Sequence, residues 1–333
     1  QRCSRAFKEI CASYAPTMES FSIDEVFLDM TGTHLIYPDP VAVAHEIKDK
    51  IRDELGFTVN VGIGTNKLLA KMASDFEKPD KVHTLFPPEI PKKMWPLPVR
   101  DLLFLGKASE QRLLQEGIKT IGDMARSGEA ELKRILGEKA GHQLYRYANG
   151  IDDSPVRAER EEAKGYSAET TVEEDLVTYE QALALLLAQC DVVAARMRRD
   201  GKKCSCVAVT YRTLDFKTRS HQRAFEDPTD VTDEIFAQVK KLLYECWKCE
   251  PLRLIGMALT DLTTDDFRQI SLFENPDERE KQKKADEAFD DIRRRFGNGM
   301  IVRGSTMSTA GKVARKAKAQ MDQDVRIKKE KEK

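Results

Sequence analysis

The chain has 333 residues, 41% of them hydrophobic and 33% charged, with a net charge of −1. That is enough apolar material for two or three domains, and the neutral balance excludes a uniformly basic nucleic-acid binder. No apolar run approaches the ~18 residues of a membrane helix, and no signal peptide is legible, so a cytoplasmic, non-membrane protein is expected. Seven cysteines, an odd number in a long chain, argue for reduced thiols rather than a disulfide framework.

In chain order, a short helix is predicted over 3–14, with Phe7, Ile10 and Tyr14 on one face. Two strand-like runs follow: Phe21 and Ile23 alternate with Ser20 and Ser22, then Val26, Phe27, Leu28 and Met30 supply apolar bulk. Asp24 and Glu25 stand between the runs. A tight hairpin tip favours residues that accept positive φ, and neighbouring carboxylates repel. An ordinary acidic turn is one reading. A site for a hard divalent cation such as Mg2+, which would remove the repulsion, is the other. A helix is predicted over 41–55, a strand over 57–63, and a helix over 66–76 with Leu68, Leu69, Met72, Ala73 and Phe76 in register. Lys71 falls in mid-helix, and Lys78 follows just before Pro79.

The run Ser-Ile-Asp-Glu, strand, Val-Gly-Ile-Gly-x-Asn-Lys-x-x-Ala-Lys-x-Ala-Ser-Asp-x-x-Lys-Pro resembles the palm of Y-family translesion DNA polymerases. By that resemblance Asp24 and Glu25 are catalytic metal carboxylates for two Mg2+ ions, and Lys78 and Lys71 are nucleotide-binding. The order α-β-β-α-β matches a ferredoxin-like palm without its first strand. The family's third carboxylate, its ribonucleotide-excluding aromatic residue and its fingers domain have no counterpart here, and are expected upstream of residue 1.

Five prolines between Pro87 and Pro98 predict a connection between domains. Residues 99–150 read as short helices, one stopping at Gly117 and another starting near Thr120. They resemble a helix-hairpin-helix thumb, in which Gly106 and Lys107 would meet a DNA phosphate. Arg157 to Lys164 is charged and apolar-poor, as a tether is. Strands at 166–172, 204–212, 218–225 and 252–262 and helices at 179–199 and 231–246 give βαββαβ, in a position similar to the family's little finger. Arg212, Lys217, Arg219 and Arg223 lie among alternating apolar residues and are expected on one DNA-facing side of the sheet. Arg253 matches a phosphate-contacting position of the family. Cys204-x-Cys206 opens a strand and Cys246-x-x-Cys249 ends a helix, a placement that suits buried thiols better than zinc.

Gln269, Ile270, Ser271, Leu272 and Phe273 resemble the peptide by which bacterial polymerases hold the sliding clamp. A helix around 285–296 and a mobile basic tail are expected after it. The fold class is therefore α+β and multidomain: partial palm (1–87), helix-hairpin-helix thumb (88–150), linker (151–164), little finger (165–264), then clamp-binding peptide and tail (265–333). The resemblance implies error-prone template-directed synthesis past damaged bases by a monomer, with primed template DNA, deoxynucleoside triphosphates and the sliding clamp as partners. With one carboxylate and the fingers lacking, these residues alone are expected to be inactive. The alternatives are a non-catalytic DNA- and clamp-binding remnant and, more weakly, a helix-hairpin-helix nuclease.

Overall fold

The computed structural model describes residues 2–158, 162–264, 276–297, 301, 303 and 304. The chain divides into two compact units, Gln1–Glu161 and Glu162–Lys333.

In the first unit, helix α1 (Arg2–Ala12) precedes a hairpin of β1 (Thr17–Ser20) and β2 (Val26–Asp29), with Ser20 opposite Val26. The expected strand through Phe21 and Ile23 ends early. Residues 21–25 form a five-residue loop in which the amides of Phe21 and Ser22 both donate to the Glu25 carbonyl. None of these five residues has positive φ, so the wider loop avoids the conformational demand of a two-residue tip. Helix α2 (Pro40–Leu55) starts where the Asp39 carboxylate accepts from the Val41 amide, and stops at Gly56 in the left-handed conformation. Phe7, Cys11 and Tyr14 of the N-terminal segment pack with Val43, Ile47 and Ile51 of α2 into one small core, against which the hairpin's Val26 and Leu28 lean.

Strand β3 is confined to Val61–Gly64, and residues 57–60 belong to no strand. It pairs in parallel with β4 (Val82–Leu85), a strand that sequence reading did not anticipate, across helix α3 (Lys67–Ser74). The two pairs, β1-β2 and β3-β4, are separate two-stranded sheets. Between β2 and β3 lies a cavity of about 1260 Å³ lined by Val26, Leu28, Ile63, Phe7, Ile47 and Ile51, among others. β2 and β3 each have one ladder partner, and residues of both line the same cavity.

The proline-rich segment differs from the expected loose connection. Ile90 opens the one-turn helix α4 (Ile90–Lys93), and Ile90, Met94 and Val99 are buried in one core with Leu68, Leu69 and Met72 of α3. That core continues into α5 (Lys107–Gln115), α6 (Ile121–Ser127), α7 (Glu129–Leu136) and α8 (Glu138–Ala148). Proline here fixes turns over a packed surface instead of loosening the chain. Asn66 ties the ends together, its side chain capping α3 through the Leu69 amide and donating to the Gly150 carbonyl.

The second unit holds β5 (Gly165–Leu176), α9 (Tyr179–Arg199), β6 (Lys203–Thr213), β7 (Thr218–Thr229), α10 (Thr232–Cys246) and β8 (Leu252–Thr263). Its antiparallel sheet has the order β5-β8-β6-β7. Val207, Val209 and Tyr211 of β6 share a core with Leu186, Val193, Ile235 and Trp247, so both helices cover one face. Helix α11 (Pro276–Phe296) is longer than expected and is held to this unit by ion pairs, Arg198 to Asp286 (3.2 Å) and Asp290 (2.8 Å), and Arg293 to Asp191 (3.2 Å). Among the described residues, no helix is long and apolar enough to cross a membrane.

Candidate active site

The acidic loop is fixed from below by α1. Lys8 Nζ donates to the Ser22 carbonyl at 2.7 Å, and Ser4 Oγ donates to the Ile23 carbonyl. Ser22 Oγ in turn donates to Asp24 Oδ1 at 2.7 Å. That bond, with nearby Lys71 and Lys8, holds the Asp24 carboxyl below its ordinary range. Asp24 is fully exposed and ionised, as a cation ligand must be.

Helix α3 brings the lysines. Gly62 and Gly64 of β3 belong to the run that resembles the family palm, and the structure gives them a packing role. A Cβ on Gly62 would lie 1.9 Å from the Ala70 carbonyl oxygen, and one on Gly64 would lie 2.7 Å from the Ala70 amide nitrogen. The glycines let α3 lie directly on β3. Lys71 then reaches the acidic loop, with Nζ 2.6 Å from Glu25 Oε1. Its second partner is Asp75 Oδ2 at 2.9 Å, and Asp75 Oδ1 is 2.7 Å from Lys78 Nζ. Burial pulls the Lys71 pKa down, but the bonds to Glu25 and Asp75 outweigh it and leave the pKa raised. Burial likewise opposes ionisation of Asp75, and Lys78 and Lys71 reverse that, so its carboxyl sits low.

The structure therefore brings Lys71 and Lys78, both singled out from sequence, onto one residue that was missed, Asp75, and links Lys71 to Glu25, while Asp24 stays in the loop with Ser22 as its partner. The spacing of Asp75, four residues after Lys71 and three before Lys78, is legible as a helical pairing pattern. A second missed pair is Lys67 with Glu19 (2.9 Å), where Glu19 also accepts from the Arg157 amide and so holds the start of the tether. The donor set suits a divalent cation. Asp24 and Glu25 offer hard carboxylate oxygens side by side in sequence, and Glu25 meets the Lys71 ammonium, which stands where a cation can. Among the described residues, no group of three or more His, Cys, Asp or Glu could hold a metal ion.

Gly106 lies at the N-cap of α5 with no side-chain cap, next to Lys107 at the first helical position. Phe104 just before them is exposed and has a φ of 65°.

In the second unit the expected single basic face is corrected. Antiparallel partners point to the same side of a sheet. Arg219 is opposite the buried Tyr211, and Arg223 opposite the buried Val207. Both therefore lie on the helix side, where Arg219 pairs with Glu250 (3.0 Å) and Arg223 with Glu245 (2.6 Å). Arg212, opposite Thr218, is on the other side and donates to the Thr218 hydroxyl at 2.8 Å. Lys217 sits in the β6–β7 turn and pairs with Asp215. Arg253 stacks over the Phe216 ring, 5.2 Å from its centroid. Gln269, Ile270, Ser271, Leu272 and Phe273 lie outside the described residues.

Comparison with known proteins places the chain in a family. Residues 1–75 match the impB/mucB/samB family, residues 163–272 that family's C-terminal domain, and residues 100–152 the DNA polymerase-iota thumb domain. The DNA polymerase IV of Clostridium acetobutylicum is 39% identical over 303 residues, covering 91% of this chain and 76% of that one. The DNA polymerase IV of Pelotomaculum thermopropionicum is 36% identical over 304 residues, covering 91% and 75%. DNA polymerase IV 2 of Bacillus subtilis is 32% identical over 318 residues, covering 92% and 76%. A solved Y-family DNA polymerase chimera has the same fold, with a TM-score of 0.67 at 21% identity over 79% of this chain and 76% of that one. At this identity and coverage the chain belongs to the Y family of DNA polymerases, the impB/mucB/samB family.

Proposed function

We propose that Asp24 and Glu25 are metal-binding carboxylates of a DNA-directed DNA polymerase that copies past damaged bases, and that Lys71 and Lys78 receive the triphosphate. The observation that carries this reading is the row of Glu25, Lys71, Asp75 and Lys78, in which each neighbouring pair is within 2.9 Å. It alternates charge along one surface, so it can exchange its internal partners for a cation at one end and phosphate oxygens at the other. Two Mg2+ ions bound there would supply charge neutralisation at the primer 3′-hydroxyl and at the triphosphate. Template DNA and nucleotides are the substrates that such a fold takes. Asp24 stays ionised through Ser22 and waits in solvent, and the lysines neutralise the phosphates and orient the chain of oxygens.

Two carboxylates are one short of a two-metal site. The space between β2 and β3 supports a place for the third. Two strands with one ladder partner each line one cavity together with Asp24 and Glu25, and a further strand there would give both a second partner and could carry a carboxylate into the same space. Residues 1–87 then act as palm and 88–150 as thumb, with Gly106 and Lys107 as a phosphate contact. Residues 151–164 form the linker and 165–264 the little finger, with Arg212, Lys217 and Arg253 as its DNA contacts. The Leu272-Phe273 pair in its Asp-rich surround is the anchor that a monomer would lend to a sliding clamp.

Primer extension by the polymerase that carries these residues tests the reading. Asp24→Ala plus Glu25→Ala abolishes nucleotide addition while DNA affinity stays within about twofold, because phosphate contacts lie elsewhere in the chain. Extension that survives the double substitution overturns the metal assignment.

A further inference from the structure

We infer that Asp75 is a positioning residue for this site. It holds Lys78 in place and gives Lys71 a second acceptor, so that Glu25 can pass from Lys71 to an incoming divalent cation. The inference rests on the reading above and adds a residue and an exchange step to it.

Asp75 follows the last residue of α3 and forms its C-cap. This is the wrong end for a carboxylate, since the helix macrodipole is negative there and disfavours an anion. Helix stability therefore does not explain an acidic group at this position. Its contacts do. One oxygen faces Lys71 at 2.9 Å and the other faces Lys78 at 2.7 Å. Lys71 has little access to solvent where it stands, its side chain being 15% exposed. An ammonium group so enclosed needs an acceptor at all times. With Asp75 present, Lys71 keeps one partner when Glu25 leaves. Without it, Glu25 is the one acceptor left to that ammonium among the described residues, and a divalent cation must compete against a bond of 2.6 Å. The ammonium of Lys71 is thus a resident cation that a metal replaces, and Asp75 is where it goes. Lys78, with a side chain 59% exposed, is held by Asp75 from solvent into the same row, ready to exchange one carboxylate for phosphate oxygens.

The alternative is that Asp75 makes two surface pairs of ordinary helical spacing with no bearing on the site. Mn2+ binding to the polymerase that carries these residues, followed by electron paramagnetic resonance without nucleotide or DNA, separates the two. Asp75→Asn should weaken Mn2+ binding about fivefold, and Asp75→Glu should recover most of that loss. The deciding variant is Asp75→Asn combined with Lys71→Met. Removing the stranded ammonium should return Mn2+ affinity to the parent value or better, which a purely structural effect would not do. In single-turnover extension, Asp75→Asn should also raise the nucleotide KM several-fold more than it lowers kcat. Unchanged Mn2+ affinity in Asp75→Asn, or no recovery in the double variant, overturns the inference. Mn2+ binding that survives Asp24→Ala plus Glu25→Ala would instead refute the metal reading itself, leaving the two failures distinguishable.

Discussion

The two β regions of this chain are built to different standards. In the second unit β6 and β8 run 11 and 12 residues, and each is hydrogen-bonded to a neighbour on both sides. In the first, β2 and β3 have four residues each and one partner each, and residues of both line one cavity. The side chains tell the same story. Val207, Val209, Ile255 and Leu259 are fully buried, whereas Val26, Leu28 and Ile63 are only partly covered. The difference teaches that the region proposed for the chemistry is the one with the shorter strands and the fewer ladder partners. The region that carries the carboxylates and lysines supports itself least, and a region with a complete core presents a surface.

The largest expected effect comes from cutting side chains in the two regions alike. Leu259→Ala, in a fully buried site, should cost about 2–5 kcal/mol of the second unit's stability in denaturant melts. Leu28→Ala in β2 should cost the first unit about 1 kcal/mol or less, because much of that side chain's transfer energy was never gained. Equal losses would mean that the space between β2 and β3 is closed in solution.

A smaller effect sharpens the contrast at the DNA surface. Arg212→Gln should reduce the slope of log K against log salt by roughly 0.9, the value of one phosphate contact. Arg219→Gln and Arg223→Gln should leave the slope nearly unchanged, since those guanidiniums are engaged by Glu250 and Glu245 on the helix side. An equal decrease with all three substitutions would place these arginines on one face, against the observed register.

How legible these features were depended on how local their causes are. Helix α9 was read to the residue, because 21 positions of amphipathic spacing and a Thr178–Gln181 capping box are all contained in the segment. The acidic pair and its lysines were legible through a run of residue types at fixed spacing. Strand β4 was not, since four residues with His83 among them carry no period, and only pairing with β3 makes them a strand. Residues 57–60 erred in the other direction, alternating like a strand but belonging to none. The sides of Arg219 and Arg223 escaped for the same reason. Which face a residue takes on β7 is set by the register across the β6–β7 turn, and a slip of one residue would reverse it. Asp75 was hidden differently: its spacing was visible, but its value comes from what Lys71 touches 46 residues away.

Amide hydrogen exchange on the protein as it stands tests the central contrast most directly. Amides of β2 and β3 should exchange through local opening, at rates orders of magnitude above those of β6 and β8, whose exchange should follow the unfolding of their whole unit. Protection in β2 and β3 equal to that in β6 and β8 would contradict the account, because it would mean that the acidic site already sits on a finished sheet.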